Sequence, residues 1–212
     1  MRKAIVIGAT GLVGGQLMEL LLNDSRFESV KIFVRRTANI THPKLTEHIV
    51  DFDAPDTWKK LVTGDVLYSA MGTTLRVAGS KEAQYKIDYT YQYNVARTAA
   101  ANEVKEYVLI SSAGAAIDSK IFYSRMKGEL ERDIKRLPFE TIHIIRPGLL
   151  AGERVQVRTG EKIGIGGDER DINYPRTRQT KAYTRQGSST GDDQCYLPAC
   201  GRHTHLQFGR GI

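Results

Sequence analysis

Cysteine is missing from the first 194 residues of this 212-residue chain; its two cysteines, Cys195 and Cys200, both lie near the end. That excludes a disulfide framework or a thiol nucleophile in the body of the protein. No apolar run approaches the roughly 18 residues that a membrane-crossing helix needs, so no membrane span is expected. No cleavable leader is expected either, because the first apolar residues already form a strand-and-turn pattern. A cytoplasmic location is the resulting expectation. Charge of one sign is not concentrated anywhere. The formal net charge of +7 comes from 31 Lys/Arg against 24 Asp/Glu, and only seven of the former and five of the latter lie from Gly166 onward. An interspersed, mildly basic surface suits a phosphate-bearing small molecule and gives no footprint for nucleic acid. Nothing in the composition fixes an oligomeric state.

The length allows one substantial domain with its own core. "KAIVIGA" is apolar without polar alternation, as a strand buried on both faces reads, and it is expected to be the central strand. "VKIFVRR", "HIVDFD", "DVLYSAMG", "KEYVLISS" and "FETIHIIRPG" repeat the theme. Between them lie the helix-like "GGQLMELLLND", "PDTWKKLV", "KEAQYKIDYTYQYNVARTAAANE" and "YSRMKGELERDIKRL". Alternating strand and helix predicts an α/β fold: a Rossmann-like, doubly wound parallel sheet with helices on both faces.

Gly8, Gly11 and Gly14 form G-x-x-G-x-x-G directly after the first strand and at the mouth of the first helix. A pyrophosphate needs this arrangement: a tight turn, close backbone approach, and free N–H groups at the positive end of a helix dipole. Thr10 adds a hydroxyl donor, and the main chain of Leu12 and Val13 lies in the same turn. A dinucleotide is therefore the expected ligand. The second strand ends in Arg35 and Arg36, whose guanidinium groups can pair with a ribose 2′-phosphate, where an acidic residue would bond a bare 2′-hydroxyl. This favours NADP over NAD. Asp51 and Phe52, with Asp53 after them, are placed to flank an adenine. Gly72, Thr73 and Thr74, in "AMGTT", are placed to lie along the cofactor; ordinary strand-end turns are the alternative for both segments.

Tyr123 and Lys127 are four residues apart, on one face of a predicted helix. A phenol with an ordinary pKa near 10 becomes a useful proton donor and acceptor at neutral pH only when a cation stabilises its anion, which lysine can do. Ser111 lies twelve residues upstream, at the end of a buried strand, where active sites of such sheets gather. Ser112 is the alternative serine. An ordinary amphipathic helix, with Tyr123 half buried and Lys127 on the surface, is the other reading of the pair.

Taken in order, the phosphate loop, "DFD", "MGTT", "VLISSAG", "YSRMKGELE" and "IIRPGLLAGER" resemble the extended or atypical short-chain dehydrogenase/reductases. Within these they most resemble the Tat-interacting-protein-type NADP-binding oxidoreductases. The resemblance covers about residues 3 to 165. It implies a Ser-Tyr-Lys set in which Tyr123 exchanges a proton with a small carbonyl or alcohol. Lys127 would lower the tyrosine pKa and hold the nicotinamide ribose, Ser111 would orient the substrate oxygen, and Pro147 in "RPG" would lie beside the nicotinamide. Where many members of the wider superfamily place a catalytic asparagine, this chain has Asp88, with Asn94 six residues later; the narrower family also carries Asp. The resemblance leaves two other functions open: an NADP(H)-binding regulator that senses redox state without catalysis, and an epimerase-like enzyme acting on a nucleotide sugar.

Residues 1–165 are thus expected to form an NAD(P)-binding domain and 166–212 a poorly ordered polar tail outside it. Of those 47 residues only 12 are hydrophobic, with no Val or Met. Codons compatible with the stretch from "DERDINYPRTRQTK" onward can be read one nucleotide later, with suitable wobble bases, as a sequence of helical apolar spacing ending in a β-like segment. The tail is therefore read as the product of a frameshift near residues 164–168, a natural polar tail being the alternative. The elements that complete the substrate side would then be missing and turnover impaired. Cys195, Cys200, His203 and His205 offer zinc-type ligands, but their spacing is not a common finger spacing and no metal is expected.

Overall fold

The computed structural model describes residues 1–148 and 179–184. A seven-stranded sheet runs through them in the order β3-β2-β1-β4-β5-β6-β7. Its strands are β1 (Arg2–Ile7), β2 (Phe27–Val34), β3 (Leu45–Ile49), β4 (Val66–Ser69), β5 (Glu106–Ile110), β6 (Thr141–Arg146) and β7 (Gln179–Thr184). The first six are parallel, and β7 pairs antiparallel with β6. The fold is the expected Rossmann-like one. The order reverses between β1 and β4, and such a switch point opens a crevice at the carboxyl ends of the strands.

Helices cover both faces. Helix α1 (Leu12–Asn23) buries Leu17, Met18, Leu21 and Leu22 against Ala4, Val6, Val30, Ile32 and Val66. The other face packs Ile5, Ile7, Leu67, Tyr107 and Leu109 under Val95, Ala96 and Ala99, with Leu130 and Ile134 beside them. The alternate residues of β1 divide between these two cores, as the two-residue repeat of a strand requires. The second face carries α2 (Pro55–Trp58), α5 (Gln92–Ala101) and α6 (Phe122–Ile134), and the short α3 (Leu75–Ala78) and α4 (Lys81–Tyr85) lie between β4 and α5 in the chain. Between α4 and α5, Lys86–Tyr91 is a π-helical stretch. Widened turns of this kind re-aim side chains and often mark functional positions; this one turns Asp88 inward, to complete burial.

One expectation is corrected. The third strand is Leu45–Ile49, not "HIVDFD". It is the sheet's edge strand and largely polar, whereas the apolar Phe52 beyond it packs into the core as a loop residue. Within the polar stretch after residue 166, Gln179–Thr184 forms β7. A strand added to an edge takes its hydrogen bonds from its neighbour's backbone and needs no apolar periodicity of its own. The zinc-type cluster and the frameshift junction lie outside the described residues.

Candidate functional site

The phosphate loop sits at the crevice. Gly8 has a φ of +79°, and a Cβ there would come within 2.5 Å of the Ala70 and Met71 backbone at the end of β4. Gly14 is needed for packing: a Cβ would stand 2.1 Å from the Gly8 carbonyl oxygen. The Gly11 N–H donates to that same oxygen at 2.9 Å, closing the turn. Helix α1 then starts with no side-chain cap and no acidic residue in its first turn. The N–H groups around Leu12, Val13 and Gly14 therefore face the crevice end with the dipole's positive pole unopposed. Thr10 is exposed beside them. These features fit a dinucleotide pyrophosphate.

Arg35 and Arg36 follow β2 and are both exposed, within the same end of the sheet. Asp51 is exposed and accepts a hydrogen bond from the Asp53 N–H. Phe52 is a core residue: its ring stacks on Tyr91 at 5.4 Å and meets Trp58 edge-on at 6.0 Å. Of this pair, Asp51 is the one whose side chain is open to a ligand.

Tyr123 and Lys127 come from the first two turns of α6. Lys127 is only 2% exposed, and its Nζ lies 3.1 Å from Oδ1 of Asp88, itself fully buried. The expectation of a surface lysine in an ordinary amphipathic helix is thereby excluded. Lys127 Nζ also lies over the Tyr123 ring, 5.8 Å from its centroid. The second Asp88 oxygen accepts the Thr73 N–H at 2.8 Å, and a Cβ on Gly72 would stand 3.2 Å from Oδ1. Asp88 thus joins the loop after β4 to the lysine of α6. Gln92 holds the π-helical stretch from inside, its Nε2 donating to the Asp88 carbonyl at 2.6 Å and its Oε1 accepting from Ser69 at 2.7 Å. Thr74 caps α3 through its hydroxyl.

The two serines separate. Ser111 is buried and donates to Glu131 Oε1 at 2.6 Å. Arg146 Nε donates to the same oxygen at 2.8 Å, and its Nη2 pairs with the other. Ser112, one residue on, donates its hydroxyl to the Ala113 carbonyl at 3.3 Å and lies close enough to the Tyr123 phenol to lower its pKa. The expected Ser111 is engaged by Glu131, and the alternative, Ser112, is the serine that acts on the Tyr123 phenol. The loops after β5 and β6 meet there, the Ala113 N–H donating to the Pro147 carbonyl at 2.9 Å. Glu131 was missed in the sequence, although it lies one turn after Lys127, and Arg146 was read only as part of the "RPG" turn.

The electrostatics follow from burial. Burial raises the Asp88 carboxyl above its ordinary range, against the opposing pull of Lys127 and the Thr73 N–H. Burial also raises the Tyr123 phenol, and the Asp88 charge pushes the same way, while the neighbouring Ser112 hydroxyl lowers it.

A family model described as NAD(P)H-binding matches residues 8–171. The chain belongs to the NAD(P)H-binding family. Within this family, the chain is 39% identical over 170 residues to a protein of Aspergillus clavatus named fmp52, mitochondrial, covering 76% of this chain and 72% of that one. It is 38% identical over 170 residues to the Saccharomyces cerevisiae protein FMP52, mitochondrial, covering 78% and 72%. A Meyerozyma guilliermondii protein of the same name is 39% identical over 156 residues, and this chain spans 66% of its length. These names correct the expected cytoplasmic location, since the relatives are mitochondrial proteins. Among solved structures, the oxidoreductase ylbE of Lactococcus lactis superposes with a TM-score of 0.58 at 21% identity, over 71% of both chains. The NAD+ complex of Bordetella bronchiseptica WbmH gives 0.58 at 18% identity, over 69% of this chain and 55% of that one. Both share the fold of this NAD(P)H-binding protein. No helix among its described residues is long and apolar enough to cross a membrane.

Proposed function

We propose that the chain is an NADP(H)-dependent oxidoreductase of the atypical short-chain type, acting on a small carbonyl or alcohol. The observation that carries this reading is the gathering of Tyr123, Lys127 and Ser112 at the carboxyl edge of the sheet that also holds the Gly8 loop. Gly8, Gly11 and Gly14, with the main chain of Leu12 and Val13, hold the pyrophosphate, and Arg35 and Arg36 meet the 2′-phosphate. Asp51 and the loop Gly72–Thr74 border the rest of the cofactor, and Pro147 its nicotinamide end. When bound, the nicotinamide supplies or accepts the hydride.

The chain's own groups handle the proton. In the reducing direction Tyr123 donates its hydroxyl proton to the substrate oxygen as that oxygen becomes an alcohol, and in the oxidising direction it takes the proton back. Ser112 orients Tyr123 and the substrate oxygen between its hydroxyl and the phenol. Lys127 supplies the buried positive charge beside the phenol. The finer placement within the Tat-interacting-protein type rests on the motif resemblance, which runs to about residue 165.

The purified protein, assayed with NADPH against a panel of small carbonyls, is expected to turn over at least one of them. Tyr123→Phe is expected to lower that rate about 100-fold or more while still binding NADPH. An unaffected rate sinks the tyrosine mechanism. One observation favours a non-catalytic NADP(H)-binding regulator instead: Asp88 engages the Lys127 charge that a proton-donating tyrosine would use. NADPH binding without turnover across the panel selects that second reading. The stretch after residue 166 retains the frameshift reading, which the end of the family match at residue 171 supports. Sequencing the DNA across residues 155–212 decides it, because stop codons in the shifted frame rule it out.

A further inference from the structure

We infer that Asp88 is a positioning residue that holds the Lys127 ammonium and offsets its charge, and thereby sets the pH at which Tyr123 ionises. The inference rests on the reading of Tyr123 as the proton-exchanging group and assigns it a regulator within the same site.

The geometry is that of a closed pair with a third member. Asp88 and Lys127 are both removed from solvent, 3.1 Å apart, and the lysine also lies over the Tyr123 ring. Oδ1 of Asp88 makes this contact as an ion pair, without a hydrogen bond aligned to it. Oδ2 is fixed by the Thr73 N–H. The groups around the trio come from every packed element. Helix α6 gives Lys127 and Tyr123, the loop after β4 gives the Thr73 N–H and Gly72, and the end of β5 gives the Ser112 hydroxyl. The π-helical stretch gives Asp88 itself, backed by the neutral Gln92–Ser69 pair. Tyr123 thus faces one buried cation and one buried anion rather than a lone cation. A carboxylate this close to an ammonium cancels most of the field the phenol would feel, and its own charge repels a phenolate. An asparagine at this position would do neither. The aspartate therefore keeps the phenol protonated to higher pH, a state suited to donating a proton in the reducing direction and unsuited to accepting one.

The test titrates Tyr123 without requiring turnover. The ultraviolet phenolate signal is followed against pH in the unmodified chain and in Tyr123→Phe, and their difference isolates this one tyrosine. The same pair of curves is then recorded with Asp88→Asn. The Tyr123 midpoint is expected to fall by about one pH unit or more. Asp88→Ser, which leaves space for water beside Lys127, is the second variant, and it is expected to shift the midpoint in the same direction. A thermal melt of each variant confirms that it is folded. A folded variant of either kind whose Tyr123 midpoint stays within a few tenths of a pH unit overturns the proposal, since a purely structural aspartate would change the melt alone. NADPH binding is measured on the same samples. Its absence in the unmodified chain would defeat the oxidoreductase reading, while the phenol titration would still decide the role of Asp88.

Discussion

Lys127 and Asp88 form an ion pair 3.1 Å long in which neither side chain has appreciable contact with solvent. A buried pair of this kind contributes little net stability over an apolar pair, but removal of one partner strands the other charge. Lys127→Met is therefore expected to destabilise the fold by about 3–5 kcal/mol, as read by denaturant unfolding. The double change Lys127→Met with Asp88→Asn removes both charges and is expected to recover most of that loss. A single variant as stable as the unmodified chain would show that the pair is not closed in solution.

The glycines divide sharply by what surrounds them. Gly14→Ala drives a methyl onto the Gly8 carbonyl oxygen, and Gly128→Ala drives one to 2.5 Å from the Ala116 backbone, so neither methyl has anywhere to go. Both variants are expected to fold poorly or not at all, with a large fall in soluble yield and melting temperature. Gly15→Ala is the control: its nearest neighbour would be 3.5 Å away, an ordinary contact, and alanine is the better helix former by about 0.5–1 kcal/mol. It is expected to melt at or above the temperature of the unmodified protein. Equal melting of all three would contradict the packing of α1 and α6.

The same particulars show what could be read from the chain directly. Gly8, Gly11 and Gly14 were legible because their need is local: a turn, a helix start and a close approach within a few residues. The strands "KAIVI" and "VLI" were legible because two-sided burial removes polar alternation. Phe52 was not, because its position after an edge strand resembles a ligand-facing turn, and only its stacking on Tyr91 gives it to the core. Ser111 and Ser112 could not be separated by composition, since which of two adjacent serines is buried against Glu131 and which lies beside Tyr123 depends on the phase of β5. Asp88 stood out as a departure from asparagine. Its pairing with Lys127, however, depends on the π-helical turn, and a widened turn carries no periodic signal of its own.

Arg35 and Arg36 stand exposed at the end of β2. A guanidinium there gains a charge-assisted bond from a 2′-phosphate and nothing comparable from a hydroxyl. The double change Arg35→Ser with Arg36→Ser is expected to weaken NADPH binding about 10- to 100-fold, from the net loss of one charged hydrogen bond at about 1.5–3 kcal/mol. NADH binding should change by less than about threefold, as measured by the change in cofactor fluorescence on titration. If NADH binds the unmodified chain as tightly as NADPH, the two arginines are surface charges with no part in choosing the cofactor.

The two serines make opposite predictions, and their contrast checks the placement of the whole site. Ser111 donates to Glu131, a buried carboxylate that also holds Arg146 across the sheet end. Ser111→Ala leaves one of that carboxylate's bonds unmade in a dry environment, which costs about 1–3 kcal/mol of folding stability. The proton-exchanging group is untouched, so the rate per folded molecule should hold. Ser112 lies beside the Tyr123 phenol and helps bring its pKa down against burial. In Ser112→Ala the phenol is expected to titrate at higher pH than in the unmodified chain. The rising limb of the oxidation rate with pH, which needs the phenolate to accept a proton, should then move to more alkaline values. Folding should be little changed, because Ser112 is half exposed and its hydroxyl can be replaced by water. Paired thermal melts and pH–rate profiles of the two variants give the answer. A loss of turnover in Ser111→Ala with an unaltered profile in Ser112→Ala would reverse the assignment and require β5 to end one residue out of phase.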